Sequence, residues 1–198
     1  MEESSDPLKQ QVHNVMKMAK VTIDNGKSIE DLHEKVDRFL QDWMMKLQLP
    51  RPSWDEYFMK IAKVVSSRSN CIKRRVAAVV VKDLRIVSTG YNGTPRGVMN
   101  CNEGGCVRCN TFVASGTKLD ECRCSHGEEN AIVQASYHGV SLKNSTIYTT
   151  FSPCMTCAKM IINAGITQVV YNVDYPLAES AAKMLEESGI ELRQFKVE

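Results

Sequence analysis

Several things are scarce in this 198-residue chain, and each shortage removes a class of function. Net charge is only +2, and no block of five or more like charges occurs. That leaves no electrostatic footprint for nucleic acid or for an anionic membrane. A basic, aromatic-rich stretch is also missing, which argues against RNA or DNA as a substrate. No apolar run approaches the roughly 20 residues of a membrane span. The opening MEESSDPLKQQ is acidic and polar, and reads neither as a secretory signal nor as a transit peptide. Internal repeats and low-complexity segments are lacking. What remains is an ordinary globular composition, 43% apolar and 24% charged, and a cytoplasmic setting is expected.

Cysteine, by contrast, is plentiful. In a reducing compartment, eight cysteines point to metal ligation or catalysis before a disulfide framework. Seven lie between Cys101 and Cys157, with Cys71 just upstream in a polar stretch. Buried structural cysteines would be scattered through apolar segments instead. CNEGGCVRCN (101–110) puts three of them and two glycines into ten positions, and looks like a metal knuckle.

Residues 1–49 read as a helical arm. Leu8, Val12, Val15 and Ala19 fall at helical spacing, and so do Ile29, Leu32, Val36, Phe39 and Trp43. Asn25-Gly26 interrupts them, which predicts two helices or one kinked helix. The stretch from Ile23 to Phe39 resembles part of a vesicle SNARE coiled-coil motif. The other reading is an arm that packs on the core or on another subunit. Leu49-Pro50-Arg51-Pro52 reads as a stiff linker, so residues 50–198 form the second unit.

That unit begins with capping-box spacing at Ser53 and Glu56, followed by Trp54, Phe58, Ile61 and Val65 on one helical face. VAAVVV (76–81), a turn at Lys82-Asp83 and LRIVSTGY (84–91) predict a β-hairpin. Beyond the cysteine-rich loop, helices over 126–138, 153–164 and 177–188, each ended by a glycine, alternate with strands over 146–151, 167–171 and 190–195. A hairpin feeding βα units implies an α/β fold: a three-layer α/β/α arrangement around one mixed five-stranded sheet, plus the helical arm.

Two helix starts carry the chemistry. In Ser152-Pro153-Cys154-Met155-Thr156-Cys157, Ser152 is a natural N-cap and Pro153 suits the first helical position. Cys154 and Cys157 then share one face of the first turn, where the helix N-terminus favours thiolates. His126, 28 residues before Cys154 at another helix start, supplies a third zinc ligand and leaves the fourth position open for water. Glu128 lies two residues on, placed to take a proton from that water. A closed four-ligand site recruiting Cys122 or Cys124 is the alternative. The order H-x-E … P-C-x-x-C matches the signature of zinc nucleobase deaminases.

From Arg51 onward the chain resembles the deoxycytidylate (dCMP) deaminases of the cytidine-deaminase-like superfamily. The matching stretches are RPSWDEYFMKIA, SSRSNC, GYNGTPRG, CNEGGCVRC, HGEENAI and SPCMTCAKMIINAGI, in family order. The resemblance implies hydrolysis of dCMP to dUMP and ammonia, feeding thymidylate synthesis, with a catalytic zinc on His126, Cys154 and Cys157. Glu128 would protonate N3 of the cytosine and then the departing amino group. Asn92 corresponds to a ribose contact, and Arg68 is the candidate for the 5′-phosphate, although Arg68 also suits a helix C-terminus. The loop with Gly93 and Arg96 resembles one that binds a dCTP or dTTP effector, although Gly93 and Gly97 also read as plain turn residues. A homo-oligomer is implied, a hexamer among the options. The resemblance also favours a second, structural zinc on Cys71, Cys101, Cys106 and Cys124, drawn from six spare cysteines that include Cys109 and Cys122. One departure stands out: the family carries alanine where this chain has Gly127, which either loosens the site or admits closer contact with substrate. Two alternatives stay open, another cytosine substrate and a nucleotide sensor without turnover.

Overall fold

The computed structural model describes residues 12–47, 51–114, 116–175 and 178–197. The chain divides into two units, residues 1–51 and 52–198. Leu8, Leu49 and Pro50 of the expected arm and linker lie outside the described residues.

The first unit contains α1 (Val12–Met18) and α2 (Ile29–Leu47), separated by the segment with Asn25-Gly26. Asp24 and Asp31 both pair with Lys35, at 4.0 and 2.7 Å. No residue of α2 is buried. Leu32, Val36 and Phe39 are half-buried, whereas Trp43 and Met44 are more than half exposed.

The second unit opens with α3 (Trp54–Ser66), started as expected by Ser53, whose Oγ accepts the N–H of Glu56 at 3.2 Å. Phe58, Met59 and Ala62 form its buried face. The hairpin follows as β1 (Ala77–Lys82) and β2 (Arg85–Tyr91). Its turn sits one residue later than the sequence suggests: Asp83 and Leu84 both take positive φ, 50° and 58°. Lys82 and Arg85 therefore face each other, and strand twist demands that left-handed pair even without a glycine.

After the loop come α4 (Gly127–Tyr137), β3 (Thr146–Phe151), α5 (Met155–Asn163), β4 (Gln168–Val173), α6 (Glu179–Glu187) and β5 (Glu191–Gln194). The five strands lie in the order β2-β1-β3-β4-β5. β1 pairs antiparallel with both β2 and β3, and the β3–β4 and β4–β5 pairs are parallel. Strand alternation sorts the side chains into two layers. Val79, Val81, Tyr148 and Val170 meet α3. Ala78, Val80, Ile147 and Val169 meet α4, α5 and α6 through Ala131, Ala135, Ala158, Ile161, Ala181 and Leu185. This is the expected mixed five-stranded sheet between helical layers. Among the described residues, no helix is long and apolar enough to cross a membrane.

One ion pair joins three elements on the α3 face. Asp55 Oδ1 accepts from Arg193 of β5 at 2.7 Å and from the Tyr148 hydroxyl of β3 at 2.8 Å. The Arg193 hydrogen bond holds the Asp55 carboxyl below its ordinary value of 3.8, against the effect of burial. A carboxylate with a depressed folded pKa stabilises above its unfolded value and loses that contribution as pH falls through the folded one. Arg193→Ala should therefore cost about 1 kcal/mol near neutral pH, a modest figure because both groups are partly solvated. Urea unfolding at several pH values should show that cost fading below the ordinary carboxylate range. A difference that persists in strong acid would assign Arg193 a packing role instead.

Candidate active site

Two helices start at one place. His126 is the N-cap of α4 and Cys154 the N-cap of α5, both in extended conformation, with φ, ψ of −80°, 163° and −79°, 171°. Cap residues project their side chains across the helix mouth, and Cys157 joins them from the first turn of α5. The expected start of this helix is corrected: Ser152 is not the cap, and Pro153 precedes the helix. The Ser152 hydroxyl instead accepts the N–H of Tyr175 at 2.7 Å, tying the end of β3 to the chain beyond β4.

His126 Nδ1 lies 3.3 Å from Cys154 Sγ and 3.4 Å from Cys157 Sγ. All three donor atoms fall within 4.8 Å of one another. Cys122 and Cys124, offered by the sequence as a fourth ligand, group with the loop cysteines instead. Glu128 is buried, and its Oε2 accepts from Cys157 Sγ at 3.7 Å.

The electrostatics are those of donors competing for protons. Hydrogen bonding from Cys157, with help from His126, holds the Cys154 thiol down at about 3 despite burial. The hydrogen bond to Cys154 raises His126 to about 9. Cys154 and burial together push the Cys157 thiol up. Burial lifts the Glu128 carboxyl to about 7. Two sulfurs and one imidazole nitrogen converging at two helix N-termini suit zinc with one position left open. A divalent cation would replace the protons for which these groups contend.

Several supports were not read from the sequence. Glu129, three residues after His126, accepts the His126 N–H at 3.1 Å and the Ser125 hydroxyl at 3.2 Å. The spacing is that of a capping box, a signal masked by the histidine at the cap position. Asn130 Nδ2 donates to Tyr91 O at 2.7 Å, fastening α4 to the end of β2. Arg74, itself exposed, has its guanidinium over the rings of Phe151 and Tyr175 at 4.9 and 5.5 Å.

Asn92 comes close to the centre through its neighbour, since Gly93 and Ser125 exchange backbone hydrogen bonds of 3.2 and 2.9 Å. Its buried amide is engaged. Oδ1 accepts from Ser69 Oγ and Val76 N, and Nδ2 donates to Arg74 O, all within 2.8 Å. Beside it, Asn70 Oδ1 and Thr94 Oγ1 are buried with no hydrogen-bond partner among the described residues. Arg68 is exposed past the end of α3, and no hydrogen bond or ion pair links it to this centre among the described residues. Arg96 is exposed, with its guanidinium 5.2 Å from the Tyr137 ring centroid.

Six cysteines form a separate cluster. Cys71, Cys101, Cys109 and Cys124 lie within 4.8 Å of one another, and so do Cys106, Cys109, Cys122 and Cys124. The expected quartet of Cys71, Cys101, Cys106 and Cys124 is divided between these groups: Cys71, Cys101 and Cys124 stand with Cys109, and Cys106 stands with Cys109, Cys122 and Cys124 around the C-x2-C turn. Asn110 holds that turn, donating to Cys101 O and Cys106 O at 2.8 and 2.9 Å.

Gly127 answers a different need from the one expected. A Cβ there would stand 2.8 Å from Ala77 Cα and 3.0 Å from Ala77 C, against the backbone of β1. A Cβ on Gly90 of β2 would meet the backbone of α4 at 2.2 Å, at Gly127 O and Ala131 N. The two glycines let the first turn of α4 lie directly on the hairpin.

Residues 52–173 match the model of the cytidine and deoxycytidylate deaminase zinc-binding region. A deoxycytidylate deaminase of Schizosaccharomyces pombe is 48% identical over 145 residues, covering 73% of this chain and 45% of that protein. The Saccharomyces cerevisiae deoxycytidylate deaminase is 48% identical over 147 residues, covering 74% and 46%. The chain thus spans less than half the length of either fungal relative. The cyanophage S-TIM5 dCMP deaminase, solved in complex with dCMP and dUMP, is 32% identical with a TM-score of 0.61, covering 74% of this chain and 100% of that one.

Gly127→Ala tests the close approach. Helix propensity alone favours alanine by up to about 1 kcal/mol. Contact with the Ala77 backbone should outweigh that gain, for a net loss of about 1–2 kcal/mol in urea unfolding. A more stable variant would show that α4 has room to retreat.

Proposed function

The chain belongs to the family defined by the cytidine and deoxycytidylate deaminase zinc-binding region, and on that footing we propose that it hydrolyses dCMP to dUMP and ammonia at the His126–Cys154–Cys157 centre. The observation that carries the reading is a buried carboxylate, Glu128, beside a three-donor centre suited to zinc. The two fungal relatives support dCMP as the substrate through their names, and the phage enzyme through its bound nucleotides.

His126, Cys154 and Cys157 would hold the ion. Zinc, when bound, supplies Lewis acidity that brings the pKa of water down to about 7. Glu128 takes a proton from the attacking water and delivers it to N3 as the oxygen bonds to C4. It then carries the second proton from the new C4 hydroxyl to the amino group, the C4–N bond breaks, and ammonia leaves a carbonyl behind. Burial keeps Glu128 out of competition with bulk solvent. Glu129 fixes the backbone from which His126 projects.

Around this centre, Asn92 is assigned to the ribose, with the unpartnered Asn70 Oδ1 and Thr94 Oγ1 as additional polar atoms on that side. Arg68 is assigned to the 5′-phosphate, and the cation over Phe151 and Tyr175, Arg74, is a second candidate. The loop of Gly93 and Arg96 is assigned to a dCTP or dTTP effector, supported by the exposed guanidinium of Arg96. A homo-oligomer is supported by the exposed Val133 and Tyr137 on α4. The loop cysteines are assigned to structural zinc, and residues 1–49 to a separate helical unit. Eight free thiols support a reducing, cytoplasmic setting.

Two measurements test the reading. Glu128→Ala should retain its zinc by elemental analysis while kcat falls at least a hundredfold; substantial turnover without this carboxylate would remove it from the proton path. A deamination assay across dCMP, CMP, deoxycytidine and single-stranded DNA should favour dCMP. Equal rates with and without the 5′-phosphate would remove the nucleotide assignment, and no turnover on any substrate would favour a sensor.

A further inference from the structure

The loop cysteines outnumber the ligands of a single tetrahedral ion, and their arrangement accounts for the surplus. The two quartets share two members, Cys109 and Cys124. Two tetrahedra with two corners in common share an edge. We infer that this loop holds two zinc ions in one six-cysteine cluster, with the thiolates of Cys109 and Cys124 bridging them. Cys71 and Cys101 complete the first ion, and Cys106 and Cys122 complete the second. The inference extends the structural-zinc assignment above and is independent of the deaminase chemistry.

The coordination count closes. Two four-coordinate ions need eight ligand positions, and six sulfurs of which two serve twice supply eight. A single ion would leave two thiols packed against the cluster without a role. An iron–sulfur cluster held by four cysteines leaves the same remainder. Distances agree as well: with Zn–S near 2.3 Å, the edge of a ZnS4 tetrahedron is about 3.8 Å. Cys71–Cys109 and Cys106–Cys122 are 4.0 Å apart and Cys109–Cys122 3.9 Å. None of these pairs approaches the ~2.0 Å of a disulfide, and all six thiols are free.

Burial and charge point the same way. Five of the six are buried and Cys122 is half-buried. Thiols alone gain little from converging in a polar loop; an ion gives them reason to. Two Zn2+ on six thiolates leave a net charge of −2, which the surroundings are equipped to offset. The Arg123 N–H points at Cys106 Sγ from 3.4 Å. Three cationic side chains are pinned to the loop backbone: Arg123 to Gly105 O, Arg108 to Thr117 O and Lys73 to Thr111 O.

The test counts metal in the full chain. Native mass spectrometry of zinc-loaded protein should find three ions per chain. Cys154→Ser/Cys157→Ser, which dismantles the other centre, should retain two. A single retained ion would overturn the pair while leaving a structural zinc, and none would overturn both. If the double variant fails to fold, cadmium-113 exchange into the unmodified chain decides the matter. Two sulfur-rich resonances split by coupling through the bridging thiolates are expected. A single such resonance, or two without coupling, would overturn the shared edge. Because the readout is metal count and coupling, its failure and that of the deamination assay are separately visible.

Discussion

The first turn of α4 touches the hairpin backbone to backbone, and the positions of His126 and Glu128 depend on that approach. Gly90 and Gly127 leave no side chain between helix and strands, so His126 and Glu128 stand at fixed height above β1. Asn130 adds a hydrogen bond to Tyr91 O at one end of the contact, and the Gly93–Ser125 bridge closes it at the other. Backbone does not change rotamer, which makes this contact stiffer than interdigitated side chains. A site whose carboxylate must serve several positions of one substrate gains from such stiffness.

The opposing half of the centre arrives differently. β3 and β4 run parallel, and α5 crosses between them as in any βα unit, so Cys154 appears at the strand's carboxyl end where such folds place ligands. Ser152 and Tyr175 lock that edge. The centre therefore joins two independently braced pieces, the α4 start on the hairpin and the α5 start on the parallel strands. Two helix N-termini converge on it, and their partial positive charges favour the thiolates that a cation needs.

Much of this was legible in the sequence, for identifiable reasons. Alternating and β-branched residues marked Thr146–Phe151 to the residue, and Ser53 announced α3, because those signals are local. The helix caps were misplaced by one or two residues because His126 and Cys154 occupy positions where serine was the expected type. The hairpin turn slipped because Leu84 adopts a conformation its side chain disfavours, imposed by the pairing of Lys82 with Arg85. Gly127 read as a residue that loosens the site or admits substrate, since nothing in a one-dimensional pattern records that Ala77, fifty positions earlier, lies beneath it. Cys106 and Cys109 fall in overlapping groups for the same reason: ligand spacing limits which sulfurs fit together, and only the folded loop decides which do.

The six-cysteine cluster has a consequence in time. Synthesis runs from the N-terminus, so Cys71 through Cys124 leave the ribosome while Cys154 and Cys157 are still inside it. Cys124 precedes His126 by two residues. The long loop can therefore gather its thiols, and lose much of its chain entropy, before the catalytic pair has emerged. The nascent chain thus has an order of assembly written into it: the brace sets first, and the helix carrying the acid–base group emerges already anchored at its leading end.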